Sequence, residues 1–161
     1  DYVTNITKEL IMDKNDSVAL TGQLTISLNG EVVKTVKNLV VTAGKNWVAS
    51  RMQGVSAGVM THMGIGTGTT AAAAGNTALG TEAARVALTT SGGAVVNNVI
   101  TFAATIPADT PNVTAPATAA ITEAGVFNAN SSGTMLCRTV FAAVNKGELD
   151  TMTISWDVTI S

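Results

Sequence analysis

The sequence predicts an all-β protein, a β-sandwich or jelly-roll-like domain of about eight strands with one short helix and an amino-terminal arm. Three observations carry that expectation. Thr, Ala, Val and Gly supply 83 of the 161 residues, and β-branched side chains suit a pleated surface while glycine marks turns. The carboxyl end alternates without a break: Met152, Ile154, Trp156, Val158 and Ile160 lie on one face, with Thr153, Ser155, Asp157 and Thr159 on the other. Near the start, Val18, Leu20, Leu24, Ile26 and Leu28 share a face and are followed by Asn29-Gly30, the dipeptide that most readily closes a type I′ hairpin.

The elements follow in order. Asp1 to Asp16 mix Tyr2, Val3, Ile6, Leu10 and Ile11 with charges, so residues 1–17 are read as an arm and 18–161 as a single sandwich domain. Asp13-Lys14-Asn15-Asp16 opens like a calcium loop. However, Val18 stands where that loop needs Gly and Leu24 where it needs Glu, so it is read as a surface turn. A hairpin then runs from Val18 to Thr42. Thr42 is placed as the N-cap of a helix over 42–53. Within it, Ala43, Trp47 and Arg51, or Val48 and Met52, recur at helical spacing, and Gly54 suits a left-handed C-terminal cap. About ten residues are too few to stand alone, so Trp47 is expected to pack the helix onto the sheet.

Further strands are expected at His62 to Thr67, Ala84 to Thr90, Val95 to Ile106, Ala117 to Asn128 and Thr134 to Val144. Gly66 to Gly80 reads as a loop fenced by glycines. Pro107 to Pro116 reads as a second, since it holds all three prolines. Trp156, Ile154, Val158, Trp47, Leu136 and Phe127 are the expected core.

Composition excludes several classes. Nine Lys+Arg scattered against eleven Asp+Glu offer no basic stripe for nucleic acid. The chain is 46% apolar with a net charge of −2, unlike a disordered segment. Cys137 is the single cysteine, so no disulfide framework exists, and no apolar run approaches the ~18 residues of a membrane span. The four N-x-S/T sequons, at Asn5, Asn15, Asn112 and Asn130, are a by-product of Thr-rich composition.

Candidate sites reduce to structural roles. Gly64-Ile65-Gly66-Thr67-Gly68 looks like a dinucleotide fingerprint, but Thr69 stands near the place of the third glycine and no helix of adequate length follows. It is read as a strand-to-loop transition. His62 is the only histidine, and with one cysteine it cannot complete a zinc set, so it is read as a strand histidine with a satisfied ring nitrogen. Cys137, in the apolar run MLCRTVF, is read as a small buried hydrophobe. If Asn130 to Gly133 turn the chain, Ala129 faces Thr134 and Gly125 faces Arg138. Glu123 then lies diagonal to Arg138 on one face, an internal ion pair steadying a hairpin. Glu82, Glu123, Glu148, Asp109 and Asp150 are spread over separate segments, so no catalytic group, cofactor or metal ligand set is assigned and the protein is expected not to be an enzyme.

Several strings carry a resemblance. Asn38 to Arg51 (NLVVTAGKNWVASR), Thr61 to Arg85 (THMGIGTGTTAAAAGNTALGTEAAR), Ile121 to Phe127 (ITEAGVF), Gly133 to Phe141 (GTMLCRTVF) and Asp150 to Ser161 (DTMTISWDVTIS) are similar to a family of small tailed-bacteriophage virion proteins. A related pattern opens some phage tail-collar fibre proteins. The resemblance implies a virion structural component. The first expectation is a capsid decoration (cement) protein on the outer surface of the particle, with the major capsid protein as partner. The alternative is a tail, baseplate or fibre protein. Neither nucleic acid nor membrane is an expected partner.

The arm is the expected contact surface, through Tyr2, Val3, Ile6, Leu10 and Ile11. Ordering such an arm costs an amount comparable to what burying its aliphatic side chains returns. Firm attachment therefore needs several arms acting together, in a homo-oligomer expected to be a trimer.

Overall fold

The computed structural model describes residues 17–55, 58–114 and 117–161. They form two five-stranded antiparallel sheets packed face to face, with a single short helix among the described residues. The expected sandwich is observed, with ten strands rather than about eight.

The first hairpin pairs β1 (Leu20–Leu28) with β2 (Glu31–Lys37) across Asn29 and Gly30, whose φ angles of 51° and 89° are those of a type I′ turn. Leu24 and Ile26 are fully buried, Leu20 and Leu28 partly so, and Val18 lies before the strand, exposed. The chain then crosses between the sheets in one residue, Asn38, and makes the two-residue β3 (Leu39–Val40) in the second sheet.

The helix α1 (Thr42–Met52) follows. Its N-cap is Val41, not Thr42. Thr42 is already helical, and its amide donates to the Ala74 carbonyl, so a loop carbonyl does the work expected of a side-chain cap. Gln53 is the C-cap and Gly54 takes the left-handed conformation beyond it, as expected. Gly44 is the helix's buried residue, lying against the Leu136 carbonyl. Trp47 is half-buried rather than in the core, because its indole N–H reaches out 2.9 Å to the Gly58 carbonyl.

The second sheet continues with β4 (His62–Gly66), β5 (Glu82–Ala87), β8 (Thr118–Phe127) and β9 (Met135–Gly147), in the order β3-β9-β8-β4-β5. The first is completed by β6 (Ala94–Val96), β7 (Val99–Ile106) and β10 (Met152–Ile160), in the order β2-β1-β10-β7-β6. The single strand expected over 95–106 is a hairpin, broken at Asn97, whose φ of 55° turns the chain.

β10 occupies the centre of its sheet, with Trp156 set between Leu24 and Phe102. Ile154, Trp156, Phe102 and Ile106 pack in one core with Met63, Ile65, Ile121 and Val126 of the opposite sheet. No helix among the described residues is long and apolar enough to cross a membrane.

Candidate functional site

The most highly organised polar group in the molecule is built on β8 and β9. The two strands pair with Gly125 opposite Arg138, as expected, which sets Glu123 and Arg138 diagonally on one face. Nearer the turn a bulge between Val126 and Phe127 puts Phe127 opposite Met135, in place of the expected facing of Ala129 and Thr134. Arg138 Nη2 stands 2.7 Å and Nε 3.0 Å from Glu123 Oε2, and both side chains are withdrawn from water, at 0% and 2% exposure. A buried ion pair is stable only when the remaining lone pairs and protons also find partners, and here the long loop between β4 and β5 supplies them. Glu123 Oε1 accepts the backbone N–H groups of Gly68 and Thr81, and Oε2 accepts that of Gly80. Arg138 donates to the Asn76 side-chain oxygen and to the Thr70 carbonyl, and Thr122 donates to the Gly68 carbonyl.

The glycine string now has a reason. A Cβ on Gly66 or Gly68 would fall 2.6 or 2.4 Å from Glu123 Oε1, so only glycine lets the loop close over the carboxylate. The pattern that resembled a phosphate cradle does hold an anion, and the anion is the chain's own Glu123. Burial opposes ionisation of this carboxyl. The Thr81 and Gly80 amides, the Arg138 guanidinium and the Gly68 amide outweigh it, and hold the group below the usual carboxylate range.

A second knot lies beside the first. Arg85 of β5 makes a two-pronged ion pair with Glu82 at 2.6 and 2.8 Å. Its guanidinium also lies 3.6 Å from the Phe127 ring centroid and donates to the Ala129 and Ser132 carbonyls. It therefore ties the edge strand to the β8–β9 turn.

Other candidate residues take the structural places expected of them. His62 Nδ1 lies 2.8 Å from the Thr61 hydroxyl. Cys137 is fully buried, and burial pushes its thiol well above the ordinary range. Asp109 and Asp150, distant in sequence, both face the buried Lys146, whose ammonium donates to the Pro107 carbonyl at 2.8 Å. Desolvation lowers the Lys146 pKa and those two carboxylates partly oppose it. Asp150 itself is held below its usual range by the Asn29 amide and the Gly147 N–H. Among the described residues no three His, Cys, Asp or Glu side chains are placed to hold a metal ion. The arm residues Tyr2, Val3, Ile6, Leu10 and Ile11, and the turn at Asp13–Asp16, lie outside the described residues.

Between α1 and the first sheet runs an apolar groove of about 390 Å³, walled by Trp47, Val48, Ile100, Phe102, Leu136 and Val158. It continues into a wider depression of about 790 Å³ that shares Leu20, Val48, Met52 and Ile160 with it and reaches Val18. Compared with models of known protein families, with curated proteins and with solved structures, the chain matches none.

Proposed function

We propose that the chain is a non-enzymatic structural protein of a bacteriophage virion, most simply a capsid decoration protein bound to the outside of the head. One observation carries this reading. Three of the five strings that resemble small phage virion proteins, Thr61 to Arg85, Ile121 to Phe127 and Gly133 to Phe141, meet in the fold around two knots of structural contacts. GIGTG contributes Gly66 and Gly68; NTALGTEAAR contributes Asn76, Gly80, Thr81, Glu82 and Arg85; ITEAGVF contributes Glu123 and Phe127; MLCR contributes Arg138. The resemblance is therefore carried by residues that stiffen a scaffold. Glu123, the most enclosed carboxylate of the set, has both oxygens occupied by donors from its own chain.

A rigid, weakly charged sandwich suits a part repeated many times on a lattice, held as a homo-oligomer, with a trimer as the working stoichiometry. The segment Asn38 to Glu82, which resembles the opening of tail-collar fibre proteins, favours a second reading as a tail, baseplate or fibre component. Copy number separates the two. Quantitative gel densitometry of purified particles should give hundreds of copies per virion for a head protein, and a few to a few dozen for a tail protein. Turnover of a cell-wall or capsular polysaccharide, abolished by one carboxylate substitution, would overturn both.

A further inference from the structure

We propose that the apolar groove beside α1 receives residues 1–16 of a second copy of the chain. This rests on the assembly reading above and names the receptor for the arm. The groove is unusually apolar for a surface that faces water. Met52 is 85% and Val18 79% exposed at its outer end, and Val59 and Ile160 extend the patch. Its size lies in the range of about 300–1,000 Å³ typical of sites that bury a ligand.

Three features select the occupant. The segment before the described domain brings Val3, Ile6, Leu10 and Ile11, aliphatic side chains of the kind such a groove takes up. The charges also match. The charged groups lining the groove are Lys45 and Arg51, while residues 1–16 hold Asp1, Glu9, Asp13 and Asp16 against Lys8 and Lys14. Finally, the described residues begin beside the groove's outer end, which Val18 and Ala19 line. Ser17, Val18 and Ala19 are all exposed, and the ladder between the first and last strands runs out to the mutual bonds of Ala19 and Ser161.

β1 is bonded to β10 from Leu20 onward and to β2 from Gln23 onward. A returning arm would therefore find only a very short open stretch of its own strand to pair with. Docking on a second copy leaves these strand pairings as they are. Each copy then gives one arm and accepts one, a head-to-tail contact that closes into a ring when the rotation permits.

The test uses the full chain with a benzophenone side chain installed at position 52 in place of Met52, which is almost fully exposed, so the fold is retained. Circular dichroism identical to the parent checks this. Isotopically heavy and light protein are mixed at high concentration and irradiated, and the cross-linked peptides are sequenced by mass spectrometry. The expected product joins position 52 of one copy to residues 1–16 of the other isotope. Replacing Ile6, Leu10 and Ile11 by Asp should lower its yield at least tenfold. Cross-links to residues 1–16 confined to one isotope would overturn the exchange in favour of a self-docked arm, and their absence would overturn docking altogether. Trans cross-links in a protein that is absent from purified virions would sink the virion reading alone. Abundant copies on the particle without trans cross-links would sink only the exchange.

Discussion

At the scale of single residues, the molecule depends on how it treats its few charges. Glu123 and Arg138 satisfy one another and the loop above them, and breaking such a pair leaves an uncompensated charge in the interior. Glu123→Gln presents an amide to a site built for acceptors, and should lower unfolding free energy by about 3–5 kcal/mol in urea titrations, as should Arg138→Ala. If either variant unfolds at the parental urea concentration, the loop is held by something else. The pH dependence follows from the lowered Glu123 pKa. The unfolded carboxylate takes up a proton near its ordinary value of 4.5, before the folded one does, so the stabilisation is complete above that value. It is lost as pH falls below 4.5 through the lowered value of the folded state, and Glu123→Gln should flatten this part of the stability profile.

Lys146 works in the opposite direction. Its lowered pKa means that the unfolded chain binds the proton more tightly, so stability rises with pH between the lowered value and the ordinary 10.5. Lys146→Met keeps the buried stem and removes the desolvated charge. It should melt at or above the parental temperature at neutral pH and lose that alkaline rise. A clear fall in melting temperature would show that the bond to the Pro107 carbonyl outweighs desolvation. Counting from Ala129 opposite Thr134 predicts the Glu123–Arg138 diagonal. The strands are in fact offset by one at the turn, and a bulge between Val126 and Phe127 restores Gly125 opposite Arg138. The donors on Gly68, Gly80 and Thr81 could not be read from the sequence. Backbone amides bear no sequence signature, and these are 42 to 55 residues away along the chain.

At the scale of elements, period-two alternation and Asn-Gly were sufficient for β10 and for the turn of the first hairpin, but not for the hairpin's extent. The return strand ends at Lys37 rather than Thr42 because Leu39 and Val40 join the second sheet, and a bulge lies between Ile26 and Ser27. Where local signals were weaker, tertiary structure decided. The helix begins one residue earlier than its best capping side chain suggests, because the Ala74 carbonyl, from a loop, takes the Thr42 amide. It also docks through a feature that hydrophobic spacing does not reveal. A Cβ on Gly44 would fall 2.0 Å from the Leu136 carbonyl oxygen, so glycine lets the helix backbone rest directly on β9. Ala is the better helix former by ~1 kcal/mol, yet Gly44→Ala should destabilise by about 1–3 kcal/mol, because the contact is with backbone that cannot rotate away. Ala49, exposed on the same helix, provides the control: Ala49→Gly should cost only the ~1 kcal/mol of propensity. A Gly44→Ala variant more stable than the parent would place the helix further from β9.

At the scale of the whole molecule, the proposed exchange assigns stability to the sandwich and attachment to residues 1–16. The facing sheets share one large apolar core drawn from β1, β4, β7, β8, β9 and β10. The Glu123–Arg138 pair fastens the loop between β4 and β5, and Arg85 ties β5 to the β8–β9 turn. This architecture was legible because β1 and β10 alternate cleanly and the composition is rich in β-branched residues. By contrast, β4, β8 and β9 are buried over most of their length and show no such alternation. The apolar groove was not legible, since its walls come from α1, β7, β9 and β10, which only the packing brings together. If the core supplies the stability and the arm supplies the attachment, deleting residues 1–16 should affect the two properties very differently. The shortened protein should melt within about 4 °C of the parent, the shift that roughly 1 kcal/mol produces in a chain of this size. Its occupancy on particles stripped of the native protein should fall at least tenfold, because each subunit loses the segment that joins it to the next and with it the advantage of linked contacts. Calorimetry and a particle-binding titration read the two quantities independently. Full occupancy without residues 1–16 would place the attachment surface on the sandwich itself. Loss of cooperative melting would instead make the segment part of the folding unit, packed on its own domain.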